Sequence, residues 1–147
     1  MEWMLMPLRR YTEFSGRSRR KEYWMFSLML MIVYSVLAGL MISGGLINAM
    51  EGATDPELSP FFWLGAGLAV IVSLAIIVPS VAVTIRRLHD RDMSGWWYLG
   101  IIIAGSIPFV GPLVNIGFLV LMCLPGTPGP NRFGDDPKNP VGYDVFA

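Results

Sequence analysis

The sequence predicts an all-α integral membrane protein: two full transmembrane helices, a third apolar segment broken by proline and glycine, and an irregular C-terminal tail. Three observations predict it. Residues 24–47, 61–85 and 96–123 contain no Lys, Arg, Asp, Glu or His. Hydrocarbon accepts apolar helices and rejects unpaired charge, so such segregation points to a bilayer. The apolar fraction is 54% and the charged fraction 15%, against about 25% charged in ordinary soluble domains. The basic residues are also sorted along the chain. Arg9, Arg10, Arg17, Arg19, Arg20 and Lys21 precede the first span, Arg86, Arg87 and Arg91 separate the second from the third, and residues 48–60 carry Glu51, Asp55 and Glu57 with no Lys or Arg.

Short loops rich in Lys and Arg stay on the cytoplasmic side. The expected arrangement therefore has the N-terminus and the 86–95 loop inside and the acidic 48–60 loop outside. The expected organisation is a cytoplasmic basic segment at 1–22, a transmembrane domain at 23–124 and a Pro/Gly-rich tail at 125–147. Eleven Lys and Arg balance eleven Asp and Glu, so no global field favours nucleic acid. The first span, about 24 residues, exceeds a cleavable h-region of roughly 7–15 and reads as a retained helix. Cys123 is the single cysteine, which excludes an intramolecular disulfide.

In the basic segment, Trp3, Met4, Leu8 and Tyr11 suit one face of a short interfacial helix, which Pro7 limits to a first turn or a break. Tyr23 and Trp24 open the first span, Trp63 lies near the start of the second, and Trp96 and Trp97 open the third. Aromatics at span ends fit the headgroup belt. Ser35, Gly39 and Ser43 recur every four residues in span one, as do Gly65, Ala69 and Ser73 in span two. Each set lies on one helix face and admits another backbone, either the other span or a second copy of the chain. Ser59-Pro60 reads as an N-cap followed by Pro at N1, and Pro79 is expected to bend span two.

The third run is ambiguous from periodicity alone. One helix over it would measure roughly 42 Å, too long for a core of about 30 Å without tilt. The sequence Pro108-Phe109-Val110-Gly111-Pro112 at its centre is a turn signal. A helical hairpin with two short arms is favoured over one kinked span, and it would return the C-terminus to the cytoplasm. Residues 125–142 are too rich in Pro and Gly for a regular helix or a central strand. Phe133, Tyr143 and Phe146 still offer groups that could pack.

Three polar stretches are separated by the apolar spans: Phe14-Ser-Gly-Arg-Ser-Arg-Arg-Lys-Glu-Tyr-Trp24, Arg86-Arg-Leu-His-Asp-Arg-Asp-Met-Ser-Gly-Trp-Trp97 and Gly126-Thr-Pro-Gly-Pro-Asn-Arg-Phe-Gly-Asp-Asp-Pro137. In this order, separated by apolar spans, they resemble the bacterial family known as domain of unknown function 805. The resemblance covers roughly residues 8–140. It implies a small multi-pass protein of the bacterial inner membrane and supplies no activity. Pro130, where an acidic residue is common, and the longer 48–60 loop depart from the usual pattern.

If the hairpin forms, all three stretches meet at one cytoplasmic face. The candidate cluster there is Arg17, Arg20, Glu22, Arg86, Arg87, His89, Asp90, Asn131 and Arg132. Arg presents a planar donor fork to phosphate, so a function follows: a non-enzymatic membrane protein whose charged cluster binds a protein partner or anionic lipid headgroups. Glu22 beside the membrane needs a cation, with Arg86 and Arg87 as candidates. His89, Asp90 and Asp92 match no closed zinc spacing, and no second His exists. The Gly126–Gly134 stretch lacks the Gly-Lys-Ser/Thr ending of a P-loop. No catalytic residue, cofactor or metal is assigned. The alternatives are a subunit of an oligomeric transporter or channel, formed with further copies or another membrane protein, and a lipid-phosphate enzyme using His89 and Asp90 as acid–base groups. Ser94 is expected to cap the helix beginning at Trp96.

Overall fold

The computed structural model describes residues 2–52 and 58–138. Tyr143 and Phe146 of the tail, and Asp55 and Glu57 of the acidic loop, lie outside them. Six helices occur among the described residues: α1 (Glu2–Arg9), α2 (Arg20–Ser43), α3 (Leu46–Met50), α4 (Pro60–His89), α5 (Trp96–Gly105) and α6 (Gly111–Cys123). At about 1.5 Å per residue, α2 and α4 measure roughly 36 and 45 Å, enough to cross a hydrocarbon core of about 30 Å. Helices α5 and α6, at roughly 15 and 20 Å, are each too short to cross alone.

The chain divides into two compact units, one of residues 1–26 with 78–147 and one of residues 27–77. In the second, α2 packs against α4. A Cβ on Gly65 would lie 3.1 Å from the Leu37 carbonyl oxygen and 2.9 Å from the Met41 side chain. The Tyr34 and Ser73 hydroxyls meet at 2.7 Å. The small stripe of span two thus faces α2, as close packing of membrane helices requires. The stripe of span one does not reciprocate: Ser35, Gly39 and Ser43 are exposed. The two hydroxyls donate to their own helix, to Met31 O and Leu40 O.

Span one ends earlier than its hydrophobicity suggests. Gly45 adopts φ +99°, a left-handed conformation that stops a helix and that glycine adopts without a Cβ penalty. A Cβ on Gly44 would fall inside the Phe62 backbone, and Gly44 O accepts Ser59 N–H at 3.0 Å. Helix α4 begins at Pro60 as expected, but the Ser59 hydroxyl has no hydrogen-bond partner, so the side-chain cap is absent. The helix then runs through Pro79 and beyond Ile85 to His89. Helix α1 likewise continues through Pro7, which is buried, as far as Arg9.

In the first unit the third apolar run is a helical hairpin, with α5 against α6. The turn places Phe109 at φ +66° and 94% exposed. Gly111 N–H donates to Ile107 O at 2.7 Å. A Cβ on Gly111 would penetrate the Gly105 carbonyl, and one on Gly105 would lie 3.0 Å from Asn115 Oδ1. Tyr98 and Phe118 stack across the arms at 6.0 Å. Before α5, Ser94 Oγ accepts Trp96 N–H at a long 3.4 Å.

Candidate functional site

Helix α4 extends past the apolar stretch because its last turn is buried by charge pairing. Arg86 and Arg87 are both 0% exposed. A buried charge persists only with a partner and satisfied donors. Asp90 stands three residues after Arg87, on the same helical face, and its Oδ2 accepts Arg87 Nη1. Its Oδ1 accepts Arg17 Nε at 3.0 Å and lies 3.0 Å from Arg17 Nη2. One carboxylate therefore sits between two guanidinium groups contributed by segments 73 residues apart.

Carbonyl oxygens supply the rest. Arg17 donates to Thr127 O and Gly129 O, both at 2.6 Å. Arg87 donates to Met122 O at 3.3 Å and to Leu124 O. The last carbonyls of a helix lack intrahelical donors and carry its negative dipole end. At the end of α6 and just beyond it, carbonyls are met by arginines from three places: Arg87 on Met122 and Leu124, Arg20 on Cys123 at 3.1 Å, and Arg91 on Pro125. This collar ties the hairpin's return arm to α2 and α4.

The glycine-rich loop after α6 closes over the same carboxylate. Gly126 packs so tightly on Asp90 that any Cβ would overlap the carboxylate oxygens. Thr127 N–H donates to Asp90 O at 2.8 Å. The loop turns carbonyls, not N–H groups, toward its guest, so it is a cradle for the Arg17 cation and the reverse of a phosphate nest. Asn131 Nδ2 donates to His89 O at 2.9 Å and to Thr127 Oγ1 at 3.1 Å, while its Oδ1 accepts Phe133 N–H at 2.9 Å. The Phe133 ring lies flat on the His89 imidazole, 3.9 Å between centroids. Asp136 accepts Gly129 and Lys138 N–H groups, and the bond from Lys138 N–H chiefly holds its carboxyl below the usual range.

A second buried pair lies alongside. Arg86 Nη2 stands 3.2 Å from Glu22 Oε1, and Arg86 O accepts Ser18 N–H at 3.1 Å. The pair is close but misaligned: Glu22 Oε1 and both terminal Arg86 nitrogens lack hydrogen-bond geometry with any described group.

The nine candidate residues thus separate by depth. Arg17, Glu22, Arg86, Arg87 and Asp90 are buried; Arg17, Arg87 and Asp90 are spent on one another and on carbonyls, while Arg86 and Glu22 form the close, misaligned pair. His89 and Asn131 bind the loops over them. Arg132 is outside, paired with Asp92 at 3.2 Å. Arg20 is also outside, beside exposed Lys21, and these two cations with Trp24, Met25 and Cys123 line a groove of about 330 Å³. Lys21 and Arg19 stand over the Trp3 ring of α1, at 5.5 and 5.7 Å. Gly126, Thr127 and the α6 carbonyls escape sequence reading, because backbone acceptors leave no signature in residue type. Among the described residues no three His, Cys, Asp or Glu converge as metal ligands.

The profile of a family described as protein of unknown function (DUF805) matches residues 11–135. Inner membrane protein YhaI of Escherichia coli K12 is 43% identical over 138 residues, covering 94% of this chain and 97% of its own. Inner membrane protein YhaH of the same strain is 43% identical over 142 residues, covering 94% and 98%. A more distant relative, YiiR, is 26% identical over 145 residues. No solved structure matches. The apolar spans, the three polar stretches that build the clasp and the nearly full-length match to YhaI and YhaH, both named inner membrane proteins, lead to one assignment: the chain belongs to the DUF805 family.

Proposed function

We propose that this is a non-catalytic protein of the bacterial inner membrane whose buried clasp holds an outer basic rim against anionic lipid headgroups. The observation that carries this reading is the split by depth. Arg17 and Arg87 spend their donors on Asp90 and on carbonyls, and Arg86 is sealed at 0% exposure against Glu22, whereas Arg20 and Lys21 flank an exposed groove floored by Trp24 and Met25. Two cations above an apolar floor, at the first turn of a helix long enough to cross a bilayer, match a phosphate headgroup above an acyl chain. Trp3 beneath Arg19 and Lys21 lays α1 beside the same rim, as an interfacial helix. The N-terminus and this rim face the cytoplasm, in keeping with the basic segments and the acidic 48–60 loop.

The test is binding of phosphatidylglycerol and phosphatidylcholine to the purified protein by native mass spectrometry. Each cation near an anionic surface contributes about 1 kcal/mol, so Arg20→Ala with Lys21→Ala should weaken phosphatidylglycerol binding about 30-fold. Phosphatidylcholine binding should be unmoved. Equal loss for both lipids, or no loss for either, would refute the headgroup reading.

A further inference from the structure

A second cavity, separate from the basic rim, is built on His89. It measures about 480 Å³ and is walled by Phe14, Val81, Ile85, Trp96, Leu99 and Ile102, with His89 and Ser94 as its polar corner. That size falls within the roughly 300–1,000 Å³ of small-molecule sites, where an apolar wall and few convergent polar groups are the usual design.

The polar corner has a defined hydrogen-bonding sense. His89 Nδ1 lies 3.1 Å from Gly16 O. A carbonyl only accepts, so Nδ1 carries the proton and the neutral ring presents Nε2 as an acceptor. The ring cannot rotate away, since Phe133 covers one face at 3.9 Å and 4°. Gly16, at φ +81°, turns its carbonyl there in a conformation that suits glycine. Nε2 faces Gly95: a Cβ there would lie 3.6 Å from it and 2.8 Å from Ile85 Cγ2. The absence of a side chain at Gly95 keeps the space open. The Ser94 hydroxyl takes up Trp96 N–H as an acceptor and still has its own proton to give.

An acceptor nitrogen and a donor hydroxyl lining one apolar cavity are the complement of a carboxylic acid on a hydrocarbon chain. The acid brings the proton that Nε2 lacks, shared between the carboxyl oxygen and the imidazole nitrogen whichever of the two holds it, and its other oxygen accepts from Ser94. We propose that this cavity binds a free long-chain fatty acid, its carboxyl held by His89 and Ser94 and its chain lying along Ile85, Leu99 and Ile102. A hydrocarbon lacks the head, and an ester lacks the donor that Nε2 requires.

The test uses the full chain in detergent with a palmitic acid carrying a diazirine on its chain. Light-induced cross-links are mapped by peptide mass spectrometry, and unlabelled palmitic acid, methyl palmitate and hexadecane serve as competitors. Cross-links should fall within residues 81–102, and palmitic acid should compete at least tenfold better than the other two. His89→Asn keeps a donor amide at the Nδ1 position for Gly16 O and removes Nε2. It should bind palmitic acid about tenfold more weakly, the loss of one hydrogen bond, and lower thermal unfolding only by the lost stack on Phe133. Ile102→Trp, at a half-exposed position, should block the cavity without touching the polar corner. Equal competition by the ester or hexadecane, unchanged affinity in His89→Asn, or cross-links confined to other segments would each overturn the proposal. Equal competition would show a groove that merely receives bilayer acyl chains. Arg20→Ala with Lys21→Ala should leave this binding intact, so the two sites succeed or fail separately.

Discussion

Asp90 is the residue on which most of the polar end depends. Its carboxylate answers Arg17 and Arg87 together, and its backbone carbonyl receives Thr127. Asp90→Asn keeps the shape but leaves two buried cations without an anion, so it should cost about 3–5 kcal/mol in reversible unfolding. Gly126→Ala should cost about 1–3 kcal/mol by overpacking the same carboxylate. Gly117→Ala, where a Cβ meets open space on α6, should be neutral or slightly stabilising. Unfolding midpoints of the three variants in one detergent would rank them. Asp136 gives the pH dependence. Its folded carboxyl titrates below the ordinary value, so its contribution is complete above the unfolded value near pH 4 and disappears as pH falls through the lower folded value. The Gly129 and Lys138 amide resonances should shift together in that acidic window, and Asp136→Asn should abolish the step. The sequence marks Arg17, Arg87 and Asp90 as members of one cluster. It hides their partners, because Thr127, Gly129, Met122 and Leu124 take part through carbonyls that every residue type possesses.

At the scale of elements, hydrophobicity locates the spans and local backbone chemistry sets their ends. Span one stops at Gly45 through a left-handed φ, although Leu46 and Ile47 remain apolar. Span two overruns its apolar stretch by four residues, because Arg86 and Arg87 find Glu22, Asp90 and the α6 carbonyls. Those are tertiary contacts, beyond the reach of a window of sequence. The hairpin was legible in Pro108-Phe109-Val110-Gly111-Pro112, since two prolines and a glycine cannot continue an unstrained helix. What pins the hairpin shut is the approach of Gly111 to Gly105 O. Gly111→Val should force the arms apart and lower stability by about 1–3 kcal/mol. Double electron–electron resonance between labels at Leu99 and Val120 would report the widened separation, and an unchanged distance would show that the turn tolerates bulk.

At the scale of the whole molecule, the clasp predicts which side of the membrane the tail occupies. The tail's described cations, Arg132 and Lys138, are too few for the positive-inside rule to act strongly. Hydrogen bonds do what charge counting cannot. Arg17 holds Thr127 and Gly129, Arg19 holds Pro137 O, and Asn131 holds His89 O, so the tail shares a compartment with the N-terminal segment. Two reporters fused after residue 147, one active only in the cytoplasm and one only outside, should give a cytoplasmic signal. The same reporters inserted within residues 48–60 should give an external one. Straightening the turn with Pro108→Ala, Gly111→Ala and Pro112→Ala together puts hydrophobic length against the clasp. One helix of roughly 42 Å could then cross with tilt, but Arg17, Arg87 and Asp90 would lose the loop and the α6 carbonyls that satisfy them. Abandoning a buried, hydrogen-bonded charge network costs several kcal/mol, more than the fraction of a kcal/mol per Å recovered by easing a few Å of mismatch. The straightened variant should therefore keep its C-terminus inside, and adding Asp90→Ala should shift part of the population outside. A wild-type external signal would mean that Arg17 and Thr127 never meet within one chain, and the clasp would fall with it.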